Sequence, residues 1–386
     1  MSQIFHPSRA AGLAALDAFV PRAGRRYSEA RNFDDGPGNR SNISMLSPYI
    51  RHRIITEQEV IRRVLAHHRF VDAEKFIQEV CWRTYWKGWL EMRSSVWAVY
   101  QTDIATLPRS AAYHAACAGE TGIDCFDAWA VELKETGYLH NHARMWFASL
   151  WIFTLGLPWQ LGADFFYHHL LDGDPASNTL SWRWVAGLQT AGKTYLAQAD
   201  NIFRFTNGRF NPTAFAQSAG PPSEGPVAAV PIKANPPLPT GAVGLLLTEE
   251  DLHPESLDLG GMHITAVAAL PAIANRADAV TRFAHDALGE ALLRNAALSR
   301  SSSVMMQTVD SDSLIAWAQA HQLKVIATAY APVGPISDRL AILVPALAAA
   351  DIALVPIRRE WDSAAWPHAA KGFFAFKDKI PGLIGA

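Results

Sequence analysis

The 386 residues carry 34 Lys and Arg against 36 Asp and Glu, and 49% of them are hydrophobic. That length suggests two domains with a sizeable core, and the formal charge of −2 excludes an overall basic signature. The charge is uneven, with 22 basic and 20 acidic residues up to Pro212 and 12 and 16 beyond, which permits a local basic groove in the first part.

Three cysteines, Cys81, Cys117 and Cys125, form no CxxC pair. Disulfides and a four-cysteine metal cluster are therefore not expected. The apolar run from Met145 to Trp159 is shorter than the ~20 residues of a membrane span and reads as a core helix. With no signal peptide before the first helix, the expectation is a cytoplasmic protein without metal or membrane partner, acting as a monomer.

Residues 1–212 read as helical. Thr56 followed by Glu59 is a capping box that opens a helix toward His68. Further helices are predicted over about 72–93, 124–136 and from Asn141 to Pro158. On the second, Glu79, Trp82 and Trp86 recur at three- and four-residue steps and share one face. A carboxylate on an indole stripe is costly to bury unless the stripe lines a polar cleft; a core stripe with one satisfied Glu is the alternative. Asn141, Arg144 and Met145 also share a face, and Arg144 is the natural charge partner for Asp172 or Asp174. His168 and His169 are adjacent, cannot both face one site, and read as structural.

Gly187–Thr194, GLQTAGKT, spells the phosphate-loop pattern G-x-x-x-x-G-K-T. A working phosphate loop follows a buried strand and opens a helix. Here Ser181-Trp-Arg-Trp-Val-Ala precedes it, so the pattern reads as a Gly-rich turn after a helix.

Residues 213–242 are rich in Pro, Gly and Ser and read as a linker. Beyond them the short apolar runs VGLLLT, ITAVAAL, KVIATAY and IALVPI alternate with helical stretches near 278–298, 312–322 and 335–349. That alternation predicts a parallel sheet with helices on its faces over 243–386.

Several segments of residues 10–212, in order, resemble the flavin-binding domain of the photolyase/cryptochrome family. They are AAGLAALDAFV with Tyr27, Arg31 and Asn32; ISMLSPYI (43–50); FIQEVCWRTYW (76–86); ETGYLHNHARM (135–145); and LLDGDPASNTLSWRWVAGLQTAGKTY (170–195). The resemblance implies an all-helical FAD-binding domain followed by a small α/β domain, a multi-domain α and α/β fold. It implies that Tyr27, Ser44, Leu46 and Ser47 hold the FAD phosphates, while Arg83, Arg144, Asp172, Asp174 and Asn178 surround flavin and adenine. Ile43 stands where the family has a threonine, which removes one phosphate hydroxyl.

The resemblance further implies that Glu79, Trp82, Asn141, Met145 and Trp184 contact a cyclobutane pyrimidine dimer in DNA. Trp182 and Trp159 match the inner members of an electron-hopping chain. The outer member is missing near Thr106, and Trp97, Tyr100 and Tyr113 remain as alternatives. Arg183, Arg204 and Arg209 are candidates for phosphate contacts, and His142 replaces an arginine. The expected activity is that of a deoxyribodipyrimidine photolyase-like lyase; the alternative is a cryptochrome-like photoreceptor. The C-terminal part resembles the family's antenna domain, here placed after the flavin domain, with no pigment site implied.

Overall fold

The computed structural model describes residues 5–189, 193–213, 215–220, 224–296 and 303–386. The first part is helical: α1 (Arg9–Phe19), α2 (Arg25–Ala30), α3 (Ser47–Arg51), α4 (Glu57–Leu65), α5 (Phe70–Glu91), α6 (Ser95–Thr106), α7 (Ala111–Ala118), α8 (Asp124–Thr136), α9 (Asn141–Ser149), α10 (Trp159–His169), α11 (Pro175–Val185) and α12 (Ala199–Phe205). The Thr56–Glu59 capping box is formed, and α4 carries acids in its first turn and arginines in its last, matching the helix dipole. α9 ends sooner than its apolar run suggests. It passes into one π-helical turn, Leu150–Thr154, which rotates Trp151 into the core, where it is fully buried.

The second part holds β1 (Gly241–Leu247), β2 (Met262–Ala269), α13 (Asp278–Arg294), β3 (Val304–Met305), α14 (Ser311–Ala320), β4 (Val325–Ala329), α15 (Pro335–Ala349) and β5 (Ala353–Ile357). All four strands expected from the sequence form. β3, with two residues, is too short to leave a pattern. The pairings are parallel and the order is β3-β2-β1-β4-β5. β1 is central and buried from Val243 onward, as a strand covered on both faces must be.

After β5 the chain leaves the sheet. α16 (Glu360–Ala365), a 3-10 turn (Trp366–Ala370), α17 (Phe373–Lys377) and α18 (Ile380–Ile384) follow, and this segment packs along α5. Trp361 donates its Nε1–H to Thr84 (3.0 Å), and the Tyr85 hydroxyl donates to the Lys371 carbonyl (2.9 Å). A Cβ at Gly88 would lie 2.8 Å from the Trp366 Cα, so only glycine lets the two backbones come this close. The extended stretch before β1 runs back along the helices: Val230 donates to the Met92 carbonyl (2.8 Å) and Arg183 pairs with Glu224 (2.7 Å).

The seam between the two parts is charged and dry. Arg51 makes a bidentate pair with Glu250 (2.8 and 2.7 Å), and Arg53 reaches Asp362 (2.7 Å). The Glu249 carboxylate takes Arg276 (2.7 Å), while its backbone carbonyl accepts from His52 Nδ1 (2.7 Å). Arg359 holds Asp251 (2.6 and 2.8 Å). Arg51, Arg53, His52 and the carboxylates that face them are all buried. Such charges persist in an interior only when paired.

Candidate active site

The site is built where α3, α5, α9 and the start of α11 meet. α11 begins where it does because Asp174 caps it: its carboxylate accepts from the Ser177 amide (2.8 Å), and Pro175 occupies the first turn. One turn along, Asn178 donates its side-chain amide to the Ala163 carbonyl of α10 (2.7 Å). Trp182 and Trp184 continue the same helix.

Asp172 forms a bidentate pair with Arg144 of α9 (3.0 and 2.9 Å). The Arg144 Nε–H donates to the Leu139 carbonyl (2.9 Å), and the ring of Tyr138 lies 5.2 Å beneath the guanidinium. Burial pushes the Asp172 carboxyl upward, but Arg144, with Arg83 and the Ser47 hydroxyl, outweighs it and holds the group below the ordinary carboxylate range. Ser47 opens α3, so this one carboxylate ties three elements together. Asp174 is held lower still: burial opposes ionisation, and Lys87, Arg83 and Arg51 overcome it. Arg83 Nη1 and Lys87 Nζ each stand 3.4 Å from Asp174 Oδ2. Neither contact is a hydrogen bond, and all three atoms are buried without one.

Glu79 is engaged by the hydroxyl of Tyr27 and the guanidinium of Arg31. Burial raises both the Glu79 carboxyl and the Tyr27 phenol above their ordinary values, Arg31 opposing. Trp82 is stacked on Phe373 of α17, ring centroids 3.5 Å apart and 10° from parallel. Trp184 is stacked on Tyr195 at 5.6 Å. Each of these indoles therefore has one face covered by the protein's own ring. Asn141 is exposed at the start of α9, Met145 is half-buried one turn on, and Ser44 and Leu46 lie on the loop before α3.

Trp182 is enclosed by Phe166 (5.0 Å), Trp151 (6.1 Å) and Phe147 (6.4 Å). It packs over Gly162, one turn along α10 from Trp159. Trp159 in turn stacks on Tyr100 (5.7 Å), and Tyr100 lies tilted against Trp97 (5.4 Å, 38°), whose Nε1–H donates to Asp338 (3.0 Å). Tyr113 stands on another branch, edge-on to Trp151 at 5.9 Å.

Several expectations change. Arg183 is buried and paired with Glu224, and Arg209 is paired with Asp34 (2.7 Å). Of the three arginines considered for phosphate contacts, Arg204 alone is exposed and unpaired by a carboxylate among the described residues. His142 stacks on Trp146 at 4.0 Å and bonds the Asn32 carbonyl (2.9 Å), so it is turned into the core. The GLQTAGKT segment follows helix α11, with Gly187 at φ +81° closing the turn; its residues 190–192 lie outside those described. It lacks the preceding strand a phosphate loop requires. Lys87 and Arg51 escaped sequence reasoning; the available signal was Lys87 one turn beyond Arg83 on α5.

Residues 76–223 match the family model for the FAD binding domain of DNA photolyase. This part of the chain is therefore similar to the FAD-binding domain of DNA photolyases. Among curated relatives, a photolyase of Thermus thermophilus is 33% identical over 199 residues, covering 49% of this chain and 45% of its own length. That of Agrobacterium fabrum is 31% identical over 193 residues, covering 48% and 40%. The chain thus spans under half the length of these photolyases. Among solved structures, a class III photolyase from Agrobacterium tumefaciens is 27% identical with TM-score 0.46, over 53% of this chain and 44% of that one. The cofactor of such a photolyase-type domain is FAD. The residues present fit it: Arg83 and Lys87 offer buried donors without hydrogen bonds, beside the paired Asp172 and Arg144. Among the described residues no group of three or more His, Cys, Asp or Glu could hold a metal ion, and no helix is long and apolar enough to cross a membrane.

Proposed function

We propose that this protein is a light-driven DNA-repair lyase acting on cyclobutane pyrimidine dimers. The observation that carries the reading is the convergence on one spot of the Asp172–Arg144 pair, the Asp174 cap of α11 and the cations Arg83 and Lys87. FAD, when bound, supplies the light-excited electron. The chain's residues do the rest. Tyr27, Ser44, Leu46 and Ser47 would hold the FAD phosphates. Arg144 and Asp172, a fixed charge pair, would lie beside the flavin, and Asn178, pinned by Ala163, would offer it an amide.

A lesion reaches such a site by leaving the duplex stack, at less cost than an intact base. The half-buried rings of Trp82 and Trp184 would offer flat apolar walls for the two bases. Glu79, released from Tyr27 and Arg31, and Asn141 would meet base edges, with Met145 one turn beyond Asn141. Trp182 and Trp159 relay electrons outward, and the ring contacts beyond Trp159 support Tyr100 and then Trp97 as outer members.

A second reading, a cryptochrome-like photoreceptor without repair, draws on two contacts: Phe373 covers Trp82, and Tyr27 and Arg31 hold Glu79. One experiment separates the two. The protein is purified in the dark, its flavin absorbance recorded, and an oligonucleotide with one thymine dimer illuminated with it. Light-dependent loss of the dimer supports repair; bound flavin with an intact dimer supports the photoreceptor. Colourless protein that cannot be reconstituted with FAD sinks both.

A further inference from the structure

In an open parallel sheet, ligands settle beyond the carboxyl ends of the strands, at the point where connections diverge to either side. The order β3-β2-β1-β4-β5 puts that point between β1 and β4. Here the loops after both strands are engaged by the helical part. After β1, Glu250 takes both Nη atoms of Arg51 (2.8 and 2.7 Å) and stands 3.9 Å from Lys87 Nζ. After β4, the Tyr330 hydroxyl and the Val333 amide donate to Glu91 (2.7 and 2.6 Å). A side chain at Gly334 would strike Pro175, the first residue of α11, at 2.8 Å. Lys87 and Glu91 lie one turn apart on α5.

These contacts lead to the flavin site. Lys87 stands 3.4 Å from Asp174 and 3.9 Å from Glu250, so it bridges the two carboxylates. Arg51 donates its Nε–H to the Gly173 carbonyl (2.8 Å), beside Asp174, while both its Nη atoms are held by Glu250. Asp174 caps α11, which carries Asn178, Trp182 and Trp184. Every charged group in this line is buried.

We propose that the α/β domain acts as a buttress of the flavin site, and that Glu250 at the tip of β1 is a positioning residue that, through Arg51 and Lys87, fixes Asp174 and the start of α11. This rests on the FAD-dependent reading above. The charge balance gives it a measurable consequence. Arg51, Arg83 and Lys87 face Asp174 and Glu250, with Glu249 4.0 Å from Arg51 and Glu57 near Lys87 and Arg83. Without the Glu250 charge this cluster is one unit more positive, in a setting where solvent screens little. An extra positive charge behind the flavin favours its more negative, reduced form.

The test compares Glu250→Gln with Asp362→Asn, which breaks another buried pair of the same seam, Arg53–Asp362, neither member of which pairs with Asp174. Lys87→Met, which keeps the Arg51–Glu250 pair and removes the bridge, serves if Glu250→Gln does not fold. In the flavin-loaded proteins, Glu250→Gln raises the flavin midpoint potential, Lys87→Met lowers it, and Asp362→Asn leaves it in place. In the flavin-free proteins, deuterium exchange of the peptide spanning 174–185 speeds up in Glu250→Gln and Lys87→Met but not in Asp362→Asn. A potential and an exchange rate unchanged in the first two variants overturn the proposal, leaving Glu250 a plain structural lock. Should the native protein fail to bind FAD, the proposed function falls, and the exchange comparison alone still decides whether Glu250 positions α11.

Discussion

Arg144 and Asp172 contribute most as a pair. Both oxygens of the buried carboxylate are taken by one guanidinium, and removing that guanidinium strands the charge. Arg144→Leu is expected to cost roughly 3–5 kcal/mol of stability, read from urea denaturation, and to abolish flavin absorbance in the purified protein. Retained flavin at full stoichiometry would remove Arg144 from the cofactor site. A second residue carries a pH dependence. His52 is buried at the seam, and its neutral ring donates from Nδ1 to the Glu249 carbonyl while Nε2 has no partner. Burial, with Arg51 beside it, brings its pKa down to about 3. The unfolded chain takes up a proton near pH 6.5 and the folded one does not. Stability from this group is therefore complete above pH 6.5 and falls as pH drops toward 3, by about 2 kcal/mol at pH 5. His140 and His253, each held down to about 4 chiefly by burial, steepen the same decline. Urea midpoints measured from pH 7.5 to 5 should fall, and His52→Gln should flatten the slope; equal slopes would refute the assignment.

At the scale of elements, α10 and α11 are set by one missing side chain. A Cβ at Gly162 would lie 2.3 Å from the Trp182 ring, so Gly162→Ala must push the indole outward or the helices apart. A loss of about 1–3 kcal/mol is expected, with slower photoreduction of the bound flavin in a stopped-illumination assay. An unchanged photoreduction rate would argue that Trp182 does not stand in the electron path. Much at this scale was legible. The α4 capping box, the Glu79–Trp82–Trp86 face and four apolar strands are local patterns, written in periods of a few residues. The stacking of Trp82 on Phe373 was not legible, because it joins residues nearly 300 positions apart and leaves no mark on either local pattern. The π-helical turn after α9 escaped for a related reason: an extra residue in an all-apolar run does not alter its periodicity. The motif resemblance placed Asp172, Asp174 and Asn178 on the site's elements, yet it was silent on Lys87 and Arg51, whose partner Glu250 lies beyond the linker.

For the molecule as a whole, the linker marks a change in sequence grammar but not a line along which the protein divides. Cutting after residue 242 would expose the α5 face that receives Trp361, Trp366 and Phe373, and would strip Arg51 of Glu250 and Arg53 of Asp251 and Asp362. Residues 1–242 made alone are expected to be insoluble or to lack a cooperative thermal transition, and co-expression with residues 243–386 should restore both solubility and flavin binding. A folded, flavin-binding 1–242 fragment would contradict this. The dryness of the seam has one more consequence. Contacts between exposed arginines such as Arg204 and a DNA backbone fade as ions are added, whereas charges shut away from water hardly register them. Brine should therefore loosen any hold on DNA long before it pries the two halves apart, so ionic strength offers a handle on binding that leaves the fold intact.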